Sequence, residues 1–252
     1  MPHPDQRTNR LLSLLSDDDY ERLRPHLSLV TLEYRKSLYE ASRPIEQVYF
    51  PTEGVASLVL TTSDGSSVEV GTIGSEGMVG LPVCLGDREA PSSVYVQVPG
   101  TALKIDAGIF RAELAARPTL QLAMLRYAHA FFNQVAQSAA CAHLHRAEQR
   151  CCRWLLMTRD RMPTGEFLLT QEFLGMMLGV RRTTVSDVMG SLQKAGLLRY
   201  RRGHVSILNH DALRQCACEC YEISKLEFDR LLGDTARAPR TDKKRRLISQ
   251  VG

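Results

Sequence analysis

The stretch Leu169–Leu198, LTQEFLGMMLGVRRTTVSDVMGSLQKAGLL, decides the fold. It predicts two short helices joined by a tight turn. Thr170 can N-cap the first, and Phe173, Leu174, Met177 and Leu178 recur at steps of three and four, which places them on one face. Gly179 supplies the left-handed backbone at which a helix ends cheaply. After Val180 the pattern restarts, with Val185, Val188, Met189 and Leu192 as a second stripe. Gly175 carries no side chain that could hold the two helices apart. Two helices packed through such a turn make a helix-turn-helix, whose second helix can lie in the major groove of DNA.

The exposed start of that second helix is Arg181, Arg182, Thr183, Thr184, Ser186 and Asp187. One arginine can pair bidentately with guanine while the other meets a phosphate. Thr170 and Gln171, at the start of the first helix, are candidates for phosphate contacts. Leu197 and Leu198 then lead into Arg199-Tyr-Arg-Arg-Gly-His204 and the alternating Val205-Ser-Ile-Leu208. That pattern predicts a hairpin with a basic tip, the wing of a winged helix. Arg199, Arg201, Arg202 and His204 are expected to touch the DNA backbone.

The charge distribution agrees with this reading. Residues 1–145 carry 12 Lys+Arg against 16 Asp+Glu, a net of −4, and residues 146–209 carry 11 against 5, a net of +6. Positive charge therefore sits on the segment that would meet a polyanion. The acidic front half should face something else. At 252 residues the chain can hold two domains, and its 44% hydrophobic and 24% charged content is ordinary for a soluble protein. No apolar run approaches a membrane span, and the start, MPHPDQRTNR, lacks the core of a signal peptide. Seven cysteines without a spaced disulfide framework indicate a reduced, cytoplasmic protein with no membrane partner. No nucleophile-and-base or paired-carboxylate pattern stands out, so neither an enzyme nor a cofactor is expected.

In chain order, residues 1–9 are polar and expected to be loose. Leu11 to Leu27 suggest one or two helices, with Asp17–Asp19 as a turn or cap between them. From Val30 to Ile105 short runs such as Gln47–Phe50, Ala56–Leu60, Val68–Val70 and Ser93–Val98 are separated by Pro51, Gly54, Asp64-Gly65 and Pro99-Gly100. Such punctuation predicts short strands in a sandwich or barrel, with a hairpin at Asp64-Gly65. Residues 107–116 form a short helix, and a long one runs from about Thr119 to His145. Within it Leu125, Ala128, Phe132, Val135, Ala139 and Ala142 make a heptad seam, the pattern of a helix that packs against a copy of itself. His145-Arg146 is the hinge to a helix from Ala147 to about Arg161. Asp211 is expected to cap a last helix reaching Leu232, and the tail with Lys243-Lys-Arg-Arg246 to be disordered and polycationic. The expected divisions are a β domain over 1–117, a dimerisation helix over 118–145, a winged helix over 146–232 and a tail over 233–252.

This order, an α+β arrangement of β-roll, long helix, hinge and winged helix, resembles the Crp/Fnr family of bacterial transcription regulators. The resemblance covers residues 10–230 and is most specific at Gly179-Val-Arg-Arg-Thr-Thr-Val-Ser-Asp187. Phe50-Pro-x-x-Gly54 and Val68-Glu-Val-Gly-x-Ile-Gly-x-Glu-Gly77 resemble the sensory roll. It implies a homodimer on a pseudo-palindromic operator in double-stranded DNA, an effector acting on the roll, and RNA polymerase as a partner. Two departures matter. The family's cyclic AMP binders carry a Gly-Glu-Leu turn followed by Arg-Ser or Arg-Thr, where this chain has Gly77-Met-Val-Gly-Leu-Pro82 and Pro91-Ser-Ser93. Many members also place Arg-Glu, and an Arg four residues after the Glu, where this chain has Arg182, Thr183 and Asp187.

Cysteine and histidine raise a rival reading, a thiol- or metal-based redox sensor; a third is a β-roll module whose winged helix docks protein. On one continuous helix the sulfurs of Cys216-x-Cys218-x-Cys220 would not converge on one ion, because positions two apart point to different sides. Cys151 and Cys152 read as buried packing, and His129, His143 and His145 on the long helix, which could ligate a haem or metal, read as polar packing. No metal site is expected on this reading.

Overall fold

A computed structural model describes residues 8–162 and 165–233. The predicted basic tail lies outside the described residues beyond Gly233. At the other end the polarity of residues 1–9 misleads for Asn9, which is fully buried. Its side-chain oxygen accepts from the amides of Leu11 and Leu12, and its nitrogen donates to the carbonyls of Pro51 and Gly77, both at 2.8 Å. This clamp starts α1 (Arg10–Ser13). Ser16 then caps α2 (Asp17–Leu23), whose first turn holds Asp17, Asp18 and Asp19 where the helix dipole favours negative charge.

Five antiparallel strands follow: β1 (Ser28–Leu32), β2 (Ser37–Tyr39), β3 (Gln47–Thr61), β4 (Ser67–Ile73) and β5 (Ser93–Asp106). Their order is β1-β5-β3-β4, with β2 also on β5. Pro51-x-x-Gly54 and Pro99-Gly100, expected to end strands, lie inside β3 and β5 instead. The pairing of β3 with β5 shifts register between Pro51 and Glu53, between Glu53 and Val55 and between Val55 and Ala56. These bulges absorb the missing N–H and the glycine while the ladder continues and curls. Asp64-Gly65 makes the predicted hairpin: Asp64 accepts from the Ser66 amide, and Gly65 has φ +84°. Phe50, Val94, Val96, Leu103 and Ile105 fill the roll, and Phe50 meets Phe110 of α4 (Ala107–Ala116) edge-on at 5.6 Å. Between β4 and β5 lies the short α3 (Leu81–Cys84).

The long helix α5 (Pro118–Leu144) closes the roll with Leu120, Met124, Tyr127, Ala130, Phe131 and Gln134. Two glycines of the predicted sensory motif explain how closely it fits. A Cβ on Gly77 would stand 2.5 Å from the Tyr127 ring, and one on Gly74 would stand 2.4 Å from Arg161. The Tyr127 hydroxyl donates to the Met78 carbonyl at 3.1 Å. Of the six seam residues, Phe132 is 69% and Leu125 47% exposed, Ala139 and Ala142 are exposed, and Ala128 and Val135 are half-buried, Val135 against the core of the roll.

After the hinge come α6 (Ala147–Arg159), β6 (Glu166–Leu168), α7 (Gln171–Leu178), α8 (Arg182–Lys194), β7 (Leu198–Arg201) and β8 (His204–Ile207). The single last helix expected from Asp211 is two. Asn209, not Asp211, is the cap, accepting from the Ala212 amide at 3.0 Å to start α9 (His210–Cys216). The chain then breaks at residues 217–219 before α10 (Cys220–Leu232), because Ala217 turns extended with φ −77° and ψ 155°. Phe228 and Leu232 of α10 return to the core of the roll. No described helix is long and apolar enough to cross a membrane.

Candidate nucleic-acid interface

The helix-turn-helix forms as its local chemistry dictates. The Thr170 hydroxyl accepts from the Phe173 amide at 3.2 Å and caps α7. Gly179, at φ +62°, returns its amide to the carbonyls of Gly175 and Met176. A Cβ on Gly175 would lie 3.0 Å from the Val180 carbonyl, so the turn folds tightly onto the first helix. Val185, Met189 and Leu192 bury the inner stripe of α8 against α7 and α6.

The outer face of α8 is different. Arg181, Arg182, Thr183 and Asp187 are exposed, and Thr184 and Ser186 half-buried. Arg181 occupies the N-cap position, and no side chain caps the first-turn amides. Those amides and the two guanidinium groups stand together at the start of the helix, an arrangement suited to anionic oxygen. Gln171 and Ser186 bond each other at 2.7 Å and so tie α7 to α8.

The wing stands at the same end. β7 and β8 pair from Leu198↔Ile207 to Arg201↔His204, and β6 completes the sheet through Leu168↔His204. Arg202 and Gly203, at φ +50° and +80°, form its two-residue turn. The Leu169 amide donates to the Gly203 carbonyl at 2.7 Å, which sets the wing turn beside the start of α7. Arg199, Arg201, Arg202 and His204 are exposed, while Tyr200 packs inward. Among the described residues, none of the five arginines at 181, 182, 199, 201 and 202 forms an ion pair. The structure thus brings Thr170, the start of α8 and the wing's basic residues to one edge.

Sequence reasoning missed a second set of residues, those that hold this unit against the roll. Tyr34 meets Phe173 with ring centroids 6.4 Å apart. Trp154 donates to Glu69 at 3.0 Å. Within the unit itself, Arg150 of α6 donates to the Leu178 carbonyl at the end of α7. Arg161 pairs with Glu76 at 2.7 Å, with side chains only 9% and 15% exposed. Burial pushes the Glu69 carboxyl up to about 7, although Ser57 and Trp154 donate to it. The available signal was compositional: Trp154 is the only tryptophan, and Glu69 and Glu76 are the only charges in an otherwise uncharged strand and turn over 67–77.

Two family models match the chain. One, described as a cyclic nucleotide-binding domain, matches residues 29–117, and the other, a Crp-like helix-turn-helix domain, matches residues 149–216. The chain belongs to the Crp/Fnr family of transcription regulators. Among relatives of this regulator is the transcriptional regulatory protein btr of Bordetella pertussis, 26% identical over 193 residues, covering 74% of this chain and 79% of that one. FixK2 of Bradyrhizobium japonicum matches the fold with a TM-score of 0.66 at 15% identity, covering 76% of this chain and 98% of its own. A CRP-family transcriptional regulator of Thermus thermophilus gives 0.62 at 15% identity, with coverages of 83% and 100%. Likeness at the identities of these two structures extends to the fold alone.

The cysteine run departs from expectation. Cys216-x-Cys218-x-Cys220 does not lie on one continuous helix, so its sulfurs are not forced to diverge. Because the helix breaks after Cys216, Cys218 and Cys220 face Cys141 and His145, and the four donor atoms lie within 4.8 Å of one another. Cys216 stays apart, half-buried against the apolar core of the winged helix.

Proposed function

We propose that this Crp/Fnr regulator is a homodimer that reads a pseudo-palindromic operator through α8, with the wing on the flanking backbone. The observation that carries the reading is the edge of unpaired arginines around the uncapped start of α8. Exposed and without an ion-pair partner among the described residues, these are left for a partner outside the chain. The acidic front half, which DNA would repel, is the surface that remains for RNA polymerase. Operator fragments selected from genomic DNA should bind with half-site centres about 10 bp apart, and affinity should fall steeply with salt. Salt-independent binding would sink the reading.

The dimer rests on the outer face of α5. Phe132, largely exposed, sits between Leu125 and Ala139 at heptad spacing. Phe132→Glu should yield monomers with weak operator binding, read by light scattering and anisotropy; a mutant that stays dimeric would remove the seam.

The effector of this reading is not a cyclic nucleotide. Met78 and Val79 are fully buried in the turn, and the Tyr127 ring packs against Gly77. Glu76 is committed to Arg161, and Arg88, the nearest arginine in sequence, is exposed. A buried cyclic phosphate would lack a cationic partner. Calorimetric titration with cyclic AMP and cyclic GMP should show no micromolar binding.

A further inference from the structure

At the hinge between α5 and α6, three buried thiols and an imidazole meet. Cys141 lies on the last turn of α5, and His145 is that helix's C-cap, one turn later on the same side. Cys218 lies in the break between α9 and α10, and Cys220 opens α10. The Cys141 and Cys218 sulfurs are 3.5 Å apart, and the Cys220 sulfur is 3.5 Å from His145 Nδ1. A cation bound tetrahedrally, with metal–sulfur bonds of about 2.3 Å, separates its ligands by roughly 3.5–3.8 Å. All seven cysteines are free of disulfides.

We infer that Cys141, His145, Cys218 and Cys220 form a site for one thiophilic divalent cation of the zinc class, fastening the end of α5 to the α9–α10 corner.

Three features beyond the cluster itself support a built site. His145 directs Nδ1 at Cys220 while its Nε2 meets the Glu219 carboxylate at 3.2 Å. That is the arrangement by which a carboxylate fixes the ring and leaves the other nitrogen as a lone-pair donor. Gln137 Nε2 donates to the Cys220 sulfur at 3.1 Å, a contact that favours a thiolate. The guanidinium of Arg153, nine-tenths buried and bonded to Ser138, adds positive charge close to Cys141 and offsets the surplus negative charge of three thiolates on one dication. A purely apolar packing cluster would need none of these polar neighbours. Binding would displace the thiol protons to solvent and join two segments far apart in sequence. The site does not depend on the protein's binding DNA.

The test uses the full chain, reduced and freed of metal by a chelator, then titrated with Co²⁺ and Zn²⁺. One Co²⁺ per chain should bind, giving a thiolate charge-transfer band in the near ultraviolet and strong tetrahedral bands in the visible, both lost on adding Zn²⁺. Cys218→Ala and Cys141→Ser should lose this uptake, Cys216→Ser and Cys84→Ser should keep it, and Glu219→Gln should weaken it about 10–100-fold. The unmutated chain gives a measurement independent of whether variants fold. Zn²⁺ should protect Cys141, Cys218 and Cys220 from alkylation and leave Cys216 as reactive as before. Absence of the cobalt bands, bands that survive Cys218→Ala, protection that includes Cys216 equally, or a Cys141–Cys218 disulfide formed in place of metal uptake would each overturn the assignment.

Discussion

The roll and the winged helix use charge in opposite ways. In the roll, the inward-facing charges Asp19, Glu76 and Glu69 find partners within the chain: Arg117 pairs with Asp19 at 2.6 Å, Glu76 with Arg161 at 2.7 Å, and Glu69 takes hydrogen bonds from Trp154 and Ser57. At the outer edge of the winged helix, Arg181, Arg182, Arg199, Arg201 and Arg202 are exposed, and none has an ion-pair partner among the described residues. A buried charge without a counter-charge is expensive, so interior pairs mark structural duty. A solvated arginine costs little to leave unpaired. A row of them converging on one edge marks a surface for an outside anion.

That contrast can be tested by exchanging what each region loses. The largest effect is expected at Arg161→Ala, which strands Glu76 in a largely buried site and should cost about 3–5 kcal/mol, measured by urea unfolding. Arg161→Met combined with Glu76→Gln should recover much of that loss; a single mutant within about 1 kcal/mol of the parent, on the order of a surface change, would erase the distinction.

At the other region the fold should be untouched and affinity should fall. Arg182→Ala should cost about 1–3 kcal/mol on the operator and relax preference at one symmetric pair of positions. Arg201→Ala should weaken all sequences about equally and lower the salt slope by about one. If both mutants lose affinity without any change in preferred sequence, the division between base reading and backbone contact fails.

The smallest effect concerns Glu69, which is held on the protonated side by burial. Its folded pKa of about 7 lies above the ordinary 4.5, so the folded state retains a proton that the unfolded chain releases. Stability should therefore fall as pH rises between those values and level off above them, by on the order of 1 kcal/mol once solvent at this half-buried edge is counted. Glu69→Gln should flatten that slope in pH-dependent melting; an unchanged slope would assign it to another group.

The helix-turn-helix was legible in the sequence because it is built from neighbours: the Thr170 cap, the Gly179 turn and stripes at steps of three and four all lie within thirty residues. On α5, Leu125 and Phe132 of the heptad pattern fall on the outer face, whereas the inner residues Met124, Tyr127 and Phe131 that close the roll were not singled out by it. Strand ends were less legible. Pro51 and Gly100 signal interruption locally, yet the sheet on either side holds β3 and β5 in line. The docking residues were not legible at all, because Trp154 and Glu69, or Arg161 and Glu76, are each 85 residues apart. The sulfur cluster was hidden for a related reason. A two-residue spacing argues against convergence only while the helix continues, and the extended Ala217 that ends it carries no sequence signal as strong as glycine or proline.

The meeting of α5 with α10 has a consequence for how this chain can be rearranged. Asn133 donates to Glu227 at 3.1 Å, and Tyr127 and Phe228 stand 6.5 Å apart, so the two helices lie side by side on the roll. Everything between residues 145 and 218 then leaves and re-enters the body at nearly the same place. The helix-turn-helix unit is an excursion with adjoining entry and exit, the geometry that tolerates insertion of whole modules. A module spliced between His145 and Cys218 would find α10 in its seat, but it would have to supply anew the partners that Arg161 and Trp154 give to Glu76 and Glu69 of the roll.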